Sequence, residues 1–127
     1  MESVEFNIIR TIVTRLSKAD IAYMFTGSIA TNFYATPRMT RDVDVVIELR
    51  ETEVDCLCSL FEKDFYIDRD IIVSAVKRNG MFNMIHYESV FKVDFIIRKD
   101  DEYRREEFKR RKHVVFEGIE LYIVAPE

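Results

Sequence analysis

Two hydrophobic patterns follow one another at the start of the chain. Apolar side chains recur every three or four positions from Val4 to Leu16, and charged residues such as Arg10 and Arg15 lie between them. This spacing predicts an amphipathic helix that packs one face against a core. The short apolar run from Ile21 to Phe25 follows and predicts a first buried strand.

Acidic and apolar residues then alternate along the segment from residue 42 to residue 49. Successive side chains of a strand point to opposite faces, so a strand here has one acidic face and one apolar face. The acidic face carries Asp42, Asp44 and Glu48, while the other face is free to pack against helices. The pattern predicts a second strand that begins at residue 41 or 42.

The rest of the chain mixes the two periodicities without strict alternation. Helices are predicted over 51–63, 70–79 and 101–111, and extended segments over 65–67, 81–87, 90–98, 113–116 and 120–124. Asp68 or Asp70 is expected to cap the helix over 70–79, and Gly80 is expected to end it. This order predicts an α+β fold, in which a mixed β-sheet carries helices mainly on one face, as a single domain over residues 1–127.

Composition and charge narrow the classes of function. The chain has 127 residues, a size typical of one domain, and its formal net charge of −4 argues against a surface that coats nucleic acid. No apolar run reaches the length of a membrane span and no signal-peptide pattern is present, so we expect no membrane partner and a cytoplasmic location. Cys56 and Cys58 point to different sides of a predicted helix and are not expected to bridge or to share a metal.

Three aspartates are the candidate catalytic and metal-binding residues. Asp42 and Asp44 share one face of their strand, and Asp94 lies on the polar face of the strand over 90–98. If the two strands pair, Asp94 comes within about 5 Å of the other two across the sheet. Carboxylates this close repel one another unless a cation lies between them, and Mg²⁺ (or Mn²⁺) prefers oxygen ligands. Lys92 also points towards this site, and three solvated strand-end acids are the alternative interpretation.

Four further residues are candidates for binding nucleotide phosphates. Gly27 and Ser28 follow the first strand and precede a short helical pattern. Glycine allows a sharp backbone turn, and a helix N-terminus offers free N–H groups and a positive dipole end to a phosphate. Arg38 and Arg41 lie just before the acids, where they either reach a phosphate or form surface ion pairs of small energetic value.

These motifs together resemble those of a known enzyme superfamily. The stretch GSIATNFYATPRMTRDVDVVIE, with KVDFII further along, resembles the nucleotidyltransferase superfamily that includes DNA polymerase beta. Within it, the chain is most similar to the small bacterial nucleotidyltransferases of toxin–antitoxin and abortive-infection systems. The resemblance covers most of the chain, and the matching positions are Gly27, Ser28, Ala30, Tyr34, Arg38, Asp42, Asp44 and Asp94.

The resemblance implies a metal-dependent transferase with an NTP as substrate. It implies that Asp42 and Asp44 bind two divalent ions and that Asp94 binds one of them and helps to activate the nucleophile. The implied reaction moves a nucleoside monophosphate to a hydroxyl of a protein or an RNA acceptor. Family members usually continue into further helices where this sequence stops at Glu127, so the chain is expected either to need a homodimer or a partner protein or to have lost activity while keeping the fold.

Two other functions are compatible with the same residues. A catalytically silent module of this fold would bind nucleotide or a partner protein in an antitoxin-like or regulatory role. A two-metal nuclease would use the same three acids, but a Gly-Ser pair before a helix suits a triphosphate better and the surface is not basic. The presence of Asp42, Asp44 and Asp94 together favours the transferase over the silent module.

Overall fold

The computed structural model describes residues 4–26 and 42–125. A short 3-10 helix, Glu51–Glu53, immediately precedes the α-helix that begins at Val54. None of the described helices is long and apolar enough to cross a bilayer. The described α-helices are α1 (Val4–Lys18), α2 (Val54–Phe61), α3 (Arg69–Arg78) and α4 (Glu102–Lys109). The described strands are β1 (Tyr23–Phe25), β2 (Asp42–Ile47), β3 (Phe65–Tyr66), β4 (Met81–His86), β5 (Lys92–Ile97), β6 (Lys112–Phe116) and β7 (Ile119–Ile123).

The strands of the described chain form one mixed sheet in the order β3-β4-β5-β2-β1-β7-β6. The pairs β2–β5 and β1–β7 are parallel, and the remaining pairs are antiparallel. β2 and β5 therefore lie side by side near the middle of the sheet, although α2, β3, α3 and β4 separate them in the sequence. This arrangement confirms the predicted α+β fold with a mixed sheet.

The main core lies on one face of this sheet. The inward residues of the two central strands are at most 3% exposed, and α1, α2 and α3 pack their apolar residues against the same cluster. Helix α4 lies on the opposite face, where its Phe108 is buried outside that cluster. Helices therefore pack mainly on one face, as predicted. The inward strand residues are Val43, Val45, Ile47, Val93, Phe95 and Ile97.

Short-range hydrogen bonds define both ends of α3. The Asp68 carboxylate caps its start, because it accepts hydrogen bonds from the backbone N–H groups of Asp70 and Ile71 at 2.9 and 3.2 Å. The prediction that Gly80 ends this helix is wrong in its detail. Asn79 takes the left-handed conformation (φ 51°), which its short polar side chain tolerates, and the Gly80 N–H donates to Ala75 O at 2.8 Å.

One ion pair joins α1 to the segment between α2 and β3. The Nη1 and Nη2 groups of Arg15 donate hydrogen bonds to the two carboxylate oxygens of Asp64, at 2.7 and 2.8 Å. Nη1 also donates a hydrogen bond to Leu60 O at 2.9 Å. The guanidinium carbon lies 5.4 Å from the centre of the Phe61 ring. The hydrogen bonds from Arg15 hold the pKa of Asp64 below its usual value. This pair fixes α1 against the rest of the core-facing layer.

Candidate active site

The register of β2 and β5 brings two candidate residues face to face. Asp44 is the direct partner of Asp94, and Asp42 is the direct partner of Lys92. Paired residues of neighbouring strands lie about 5 Å apart and share a face of the sheet. Asp42, Asp44 and Asp94 therefore line the face opposite the main core, as the alternation in the sequence predicts, and they are called the acid row below.

Neutral polar residues flank the acid row. On one side the Thr26 backbone N–H donates to Asp44 O at 3.2 Å, which continues the β1–β2 pairing by one residue. On the other side Asn83 of β4 is the partner of Asp94. Thr26, Asp44, Asp94 and Asn83 thus follow one another across four strands.

The electrostatic environment of Asp44 disfavours its charged form. Burial raises the pKa of the Asp44 carboxyl, and the charges of Asp94 and Asp42 and a hydrogen bond with the Asp94 carboxyl add to this. Lys92 acts in the opposite direction and lowers the pKa of Asp44. The acid row is therefore under electrostatic strain that an added cation would relieve.

Asp94 supplies the clearest indication that the site suits a cation. Its side chain is 14% exposed, and its Oδ1 is buried without a hydrogen-bond partner among the described residues. An ionised carboxylate oxygen can only accept, so a donor or a positive ion is what it lacks. The residues present therefore fit a divalent cation at Asp44 and Asp94.

Within residues 4–26 and 42–125, no three His, Cys, Asp or Glu side chains are close enough together to hold one metal ion. Asp42 is exposed, and two residues of strand place its Cα about 7 Å from that of Asp44. In nucleotide-dependent sites Mg²⁺ is commonly bound by one or two carboxylates together with phosphate oxygens and water. The Asp44–Asp94 pair has the composition of such a site.

A cavity of about 350 Å³ lies beside the acid row, between the sheet and α4. Met24, Val46 and Ile96 form part of its lining, and each lies two positions along its strand from Thr26, Asp44 or Asp94. The α4 side contributes an ion pair in which Arg104 Nη1 lies 3.0 Å from an oxygen of Glu107. None of these lining residues was a predicted site residue. The sequence feature that could have indicated the cavity is one apolar residue on the otherwise polar face of each central strand, Val46 on β2 and Ile96 on β5.

The four predicted phosphate-binding residues lie outside the described residues. They are Gly27, Ser28, Arg38 and Arg41, and their assignment stays a prediction. In the described part of the chain, the His86 side chain contacts the turn between β4 and β5. His86 Nδ1 lies 2.8 Å from Ser89 Oγ, which also accepts from the Phe91 N–H at 3.3 Å in the β4–β5 turn.

Comparison with known proteins identifies solved structures of similar fold. No protein-family model matches the sequence, and no curated protein matches it. A candidate nucleotidyltransferase from Thermotoga maritima is similar in structure with a TM-score of 0.60 and 16% identity, over 98% of this chain and 80% of that chain. An antigenic nucleotidyltransferase-like protein from Paracoccidioides brasiliensis is similar with a TM-score of 0.57 and 15% identity, over 94% of this chain and 59% of that chain.

These similarities establish the architecture of the chain. At 15 and 16% identity they show the fold, which is nucleotidyltransferase-like. This chain spans less than two thirds of the length of the Paracoccidioides protein. The acid row, and not this likeness in fold, therefore carries the information on activity.

Proposed function

We propose that this chain, which has a nucleotidyltransferase-like fold, is a metal-dependent transferase that moves a nucleoside monophosphate from an NTP to a hydroxyl group. The observation that carries the proposal is the direct pairing of Asp44 with Asp94, on the same sheet face as Asp42. The unpartnered Oδ1 of Asp94 and the raised pKa of Asp44 support it, because both describe carboxylates whose negative charge the described residues balance only in part. The similarity in fold to nucleotidyltransferase-like proteins supports it further.

The three acids divide the work of binding and proton transfer. Asp44 and Asp94 would hold one divalent ion between them, Asp42 would contribute to binding a second ion on the same sheet face, and Asp94 would accept the proton of the attacking hydroxyl. That hydroxyl oxygen forms a bond to the α-phosphorus, while the bond from the α-phosphorus to the bridging oxygen breaks and pyrophosphate leaves with the electron pair. Bound Mg²⁺ or Mn²⁺ supplies charge neutralisation along the triphosphate and lowers the pKa of the attacking hydroxyl.

The proposal also covers how the nucleotide and the acceptor are bound. The resemblance in sequence assigns Gly27, Ser28, Arg38 and Arg41 to the phosphates. The cavity beside Val46 and Ile96 offers space for a group of the nucleotide or of the acceptor next to the acid row. The acceptor is proposed to be a protein or an RNA in the cytoplasm, in a system of the toxin–antitoxin or abortive-infection type. A homodimer or a partner protein is proposed to cover the open part of the site.

Calorimetric titration tests the proposal directly. ATP, GTP, CTP and UTP are titrated into the protein with and without Mg²⁺, using wild type, Asp44→Asn and Asp94→Asn. We expect Mg²⁺-dependent binding of at least one NTP to wild type and its loss in both variants, because each substitution removes a metal ligand and keeps the side-chain volume. Glu120→Gln is the matched control, since Glu120 is an exposed strand carboxylate on β7.

The outcomes separate the transferase from its alternatives. Release of labelled pyrophosphate by wild type, but not by Asp44→Asn, with the α-phosphate recovered as an ester of the acceptor and not as free NMP, would establish transfer chemistry. NTP binding that persists without Mg²⁺ and in both Asp variants would instead indicate a silent nucleotide-binding module. If no NTP binds to wild type under any of these conditions, the proposed function is wrong.

A further inference from the structure

Lys92 places a positive charge within the acid row. Its Nζ lies 3.7 Å from Asp94 Oδ2, and its backbone is paired with that of Asp42. The side chains of Lys92, Asp42, Asp44 and Asp94 share the outer face of the two central strands. A single ammonium group therefore faces three carboxylates in the described part of the site.

The contact between Lys92 and Asp94 is incomplete. At 3.7 Å it is an ion pair without the geometry of a hydrogen bond, and the other carboxylate oxygen of Asp94 has no partner in the described chain. The Lys92 side chain is 43% exposed, and a lysine ammonium sits on a flexible four-carbon stem. The group is near enough to offset part of the negative charge and free enough to move away.

We propose that Lys92 is an exchangeable counter-ion of the acid row, which occupies the cation position in the metal-free protein and leaves it when a divalent ion arrives with a triphosphate. This inference rests on the proposed function. In the metal-free protein Lys92 acts through the aspartates, as a positioning residue. Once displaced, its ammonium group is available to the phosphate oxygens, so the same side chain disfavours metal alone and favours metal with nucleotide.

Metal binding without nucleotide provides the first test. Mn²⁺ is titrated into wild type, Lys92→Met, Lys92→Arg and Lys77→Met, with bound ion measured by electron paramagnetic resonance. We expect Lys92→Met to bind Mn²⁺ on the order of tenfold more tightly, because a nearby like charge has been removed from a partly exposed cation site. Lys92→Arg should remain close to wild type, because it retains the positive charge.

Lys77→Met is a matched control for the loss of an ion pair. Lys77 Nζ also lies 3.7 Å from a carboxylate oxygen, that of Glu51, but on the other side of the sheet and beside a single acid. Its substitution should leave Mn²⁺ affinity unchanged. When ATP is present in the titration, the advantage of Lys92→Met should disappear, since the lysine then contributes to phosphate binding.

Thermal unfolding in a chelator provides a second readout that needs no metal. Lys92→Met should lower the melting temperature of the metal-free protein more than Lys77→Met does, because it leaves three carboxylates without their counter-charge. Adding Asp94→Asn to Lys92→Met should recover most of this loss. A structural role for the Lys92 stem alone would not produce this recovery.

The two proposals fail in different ways. If wild type binds Mn²⁺ in an Asp44-dependent manner while Lys92→Met has unchanged or weaker affinity, the counter-ion role is wrong and the proposed function stands. If neither wild type nor Lys92→Met binds Mn²⁺, with or without ATP, both the exchange and the metal-dependent function are wrong.

Discussion

Asp44 is paired directly with Asp94 across two parallel strands, with both side chains on the face away from the main core. Burial, together with this proximity, raises the pKa of Asp44 above its ordinary value. Because the folded protein then holds this proton more tightly than the unfolded chain, Asp44 favours the folded state at low pH. It disfavours the folded state once the pH has risen through the raised pKa.

Asp44→Asn should therefore raise the melting temperature of the metal-free protein at neutral pH while abolishing Mg²⁺-dependent NTP binding. The gain should vanish below the ordinary aspartate pKa of about 3.9, where wild-type Asp44 is protonated in both the folded and unfolded states. Calorimetric unfolding in a chelator across this pH range measures it. An Asn variant that is no more stable than wild type at neutral pH would contradict the electrostatic strain described for the acid row.

Arg15→Met should lower the free energy of unfolding by about 1–3 kcal/mol, because it removes charge-assisted hydrogen bonds to Asp64. The pKa of Asp64 is lowered by Arg15, so this stabilisation is fully present above the ordinary aspartate pKa and is lost as the pH falls through the lowered pKa. Urea denaturation at neutral and acidic pH measures both effects. Lys18→Met, an exposed substitution on the same helix, should show neither the loss nor its pH dependence.

Asp68→Ala should cost about 1 kcal/mol of stability, the usual value for loss of a helix N-cap. Asp70→Ala removes an exposed acid at the second residue of the same helix and should cost less than half as much. Chemical denaturation of the two variants decides which aspartate is the cap, a choice that the sequence left open. Equal losses in the two variants would contradict the capping geometry.

Val90→Asn should increase the free energy of unfolding by about 1 kcal/mol. Val90 has a positive φ of 60°, a conformation that costs a β-branched residue roughly 1–2 kcal/mol and that asparagine adopts more readily. The side chain is 66% exposed, so little packing is lost. Val115→Asn is the control, because Val115 is equally accessible at 63% but lies in strand β6, where asparagine is disfavoured. A loss of stability in both variants would show that backbone strain at Val90 is not relieved.

Local patterns were sufficient to predict most helices and strands of the described chain. The strand over 90–98 was predicted two residues too long at its start, because Val90 has strong β propensity but occupies a left-handed turn. The helix over 101–111 begins one residue later than predicted, because Asp101 caps it and accepts the Arg104 N–H at 2.8 Å. Both differences lie at element ends, where turn and capping geometry compete with propensity.

The candidate site was only partly accessible to sequence reasoning. Alternation placed Asp44 and Asp94 on polar strand faces, but their pairing depends on a sheet order that no local pattern contains. The cavity beside them depends on the position of α4 on the outer face of the sheet. There the guanidinium carbon of Arg111 lies 4.5 Å from the centre of the Phe108 ring and 4.6 Å from the centre of the Tyr122 ring. Such contacts between distant segments cannot be read from periodicity.

The separation of β2 and β5 in the sequence has a consequence for how the protein matures. A chain leaving the ribosome presents Asp42 and Asp44 well before Asp94, and joining their strands requires closure of the long loop that includes α2, α3 and β4. The loss of chain entropy on closing this loop is offset only once the central strands have buried the apolar residues of their inner faces. A chain synthesised only as far as β4 therefore has two of the three carboxylates and no paired site, which makes completion of the fold a precondition for the proposed binding of metal and nucleotide.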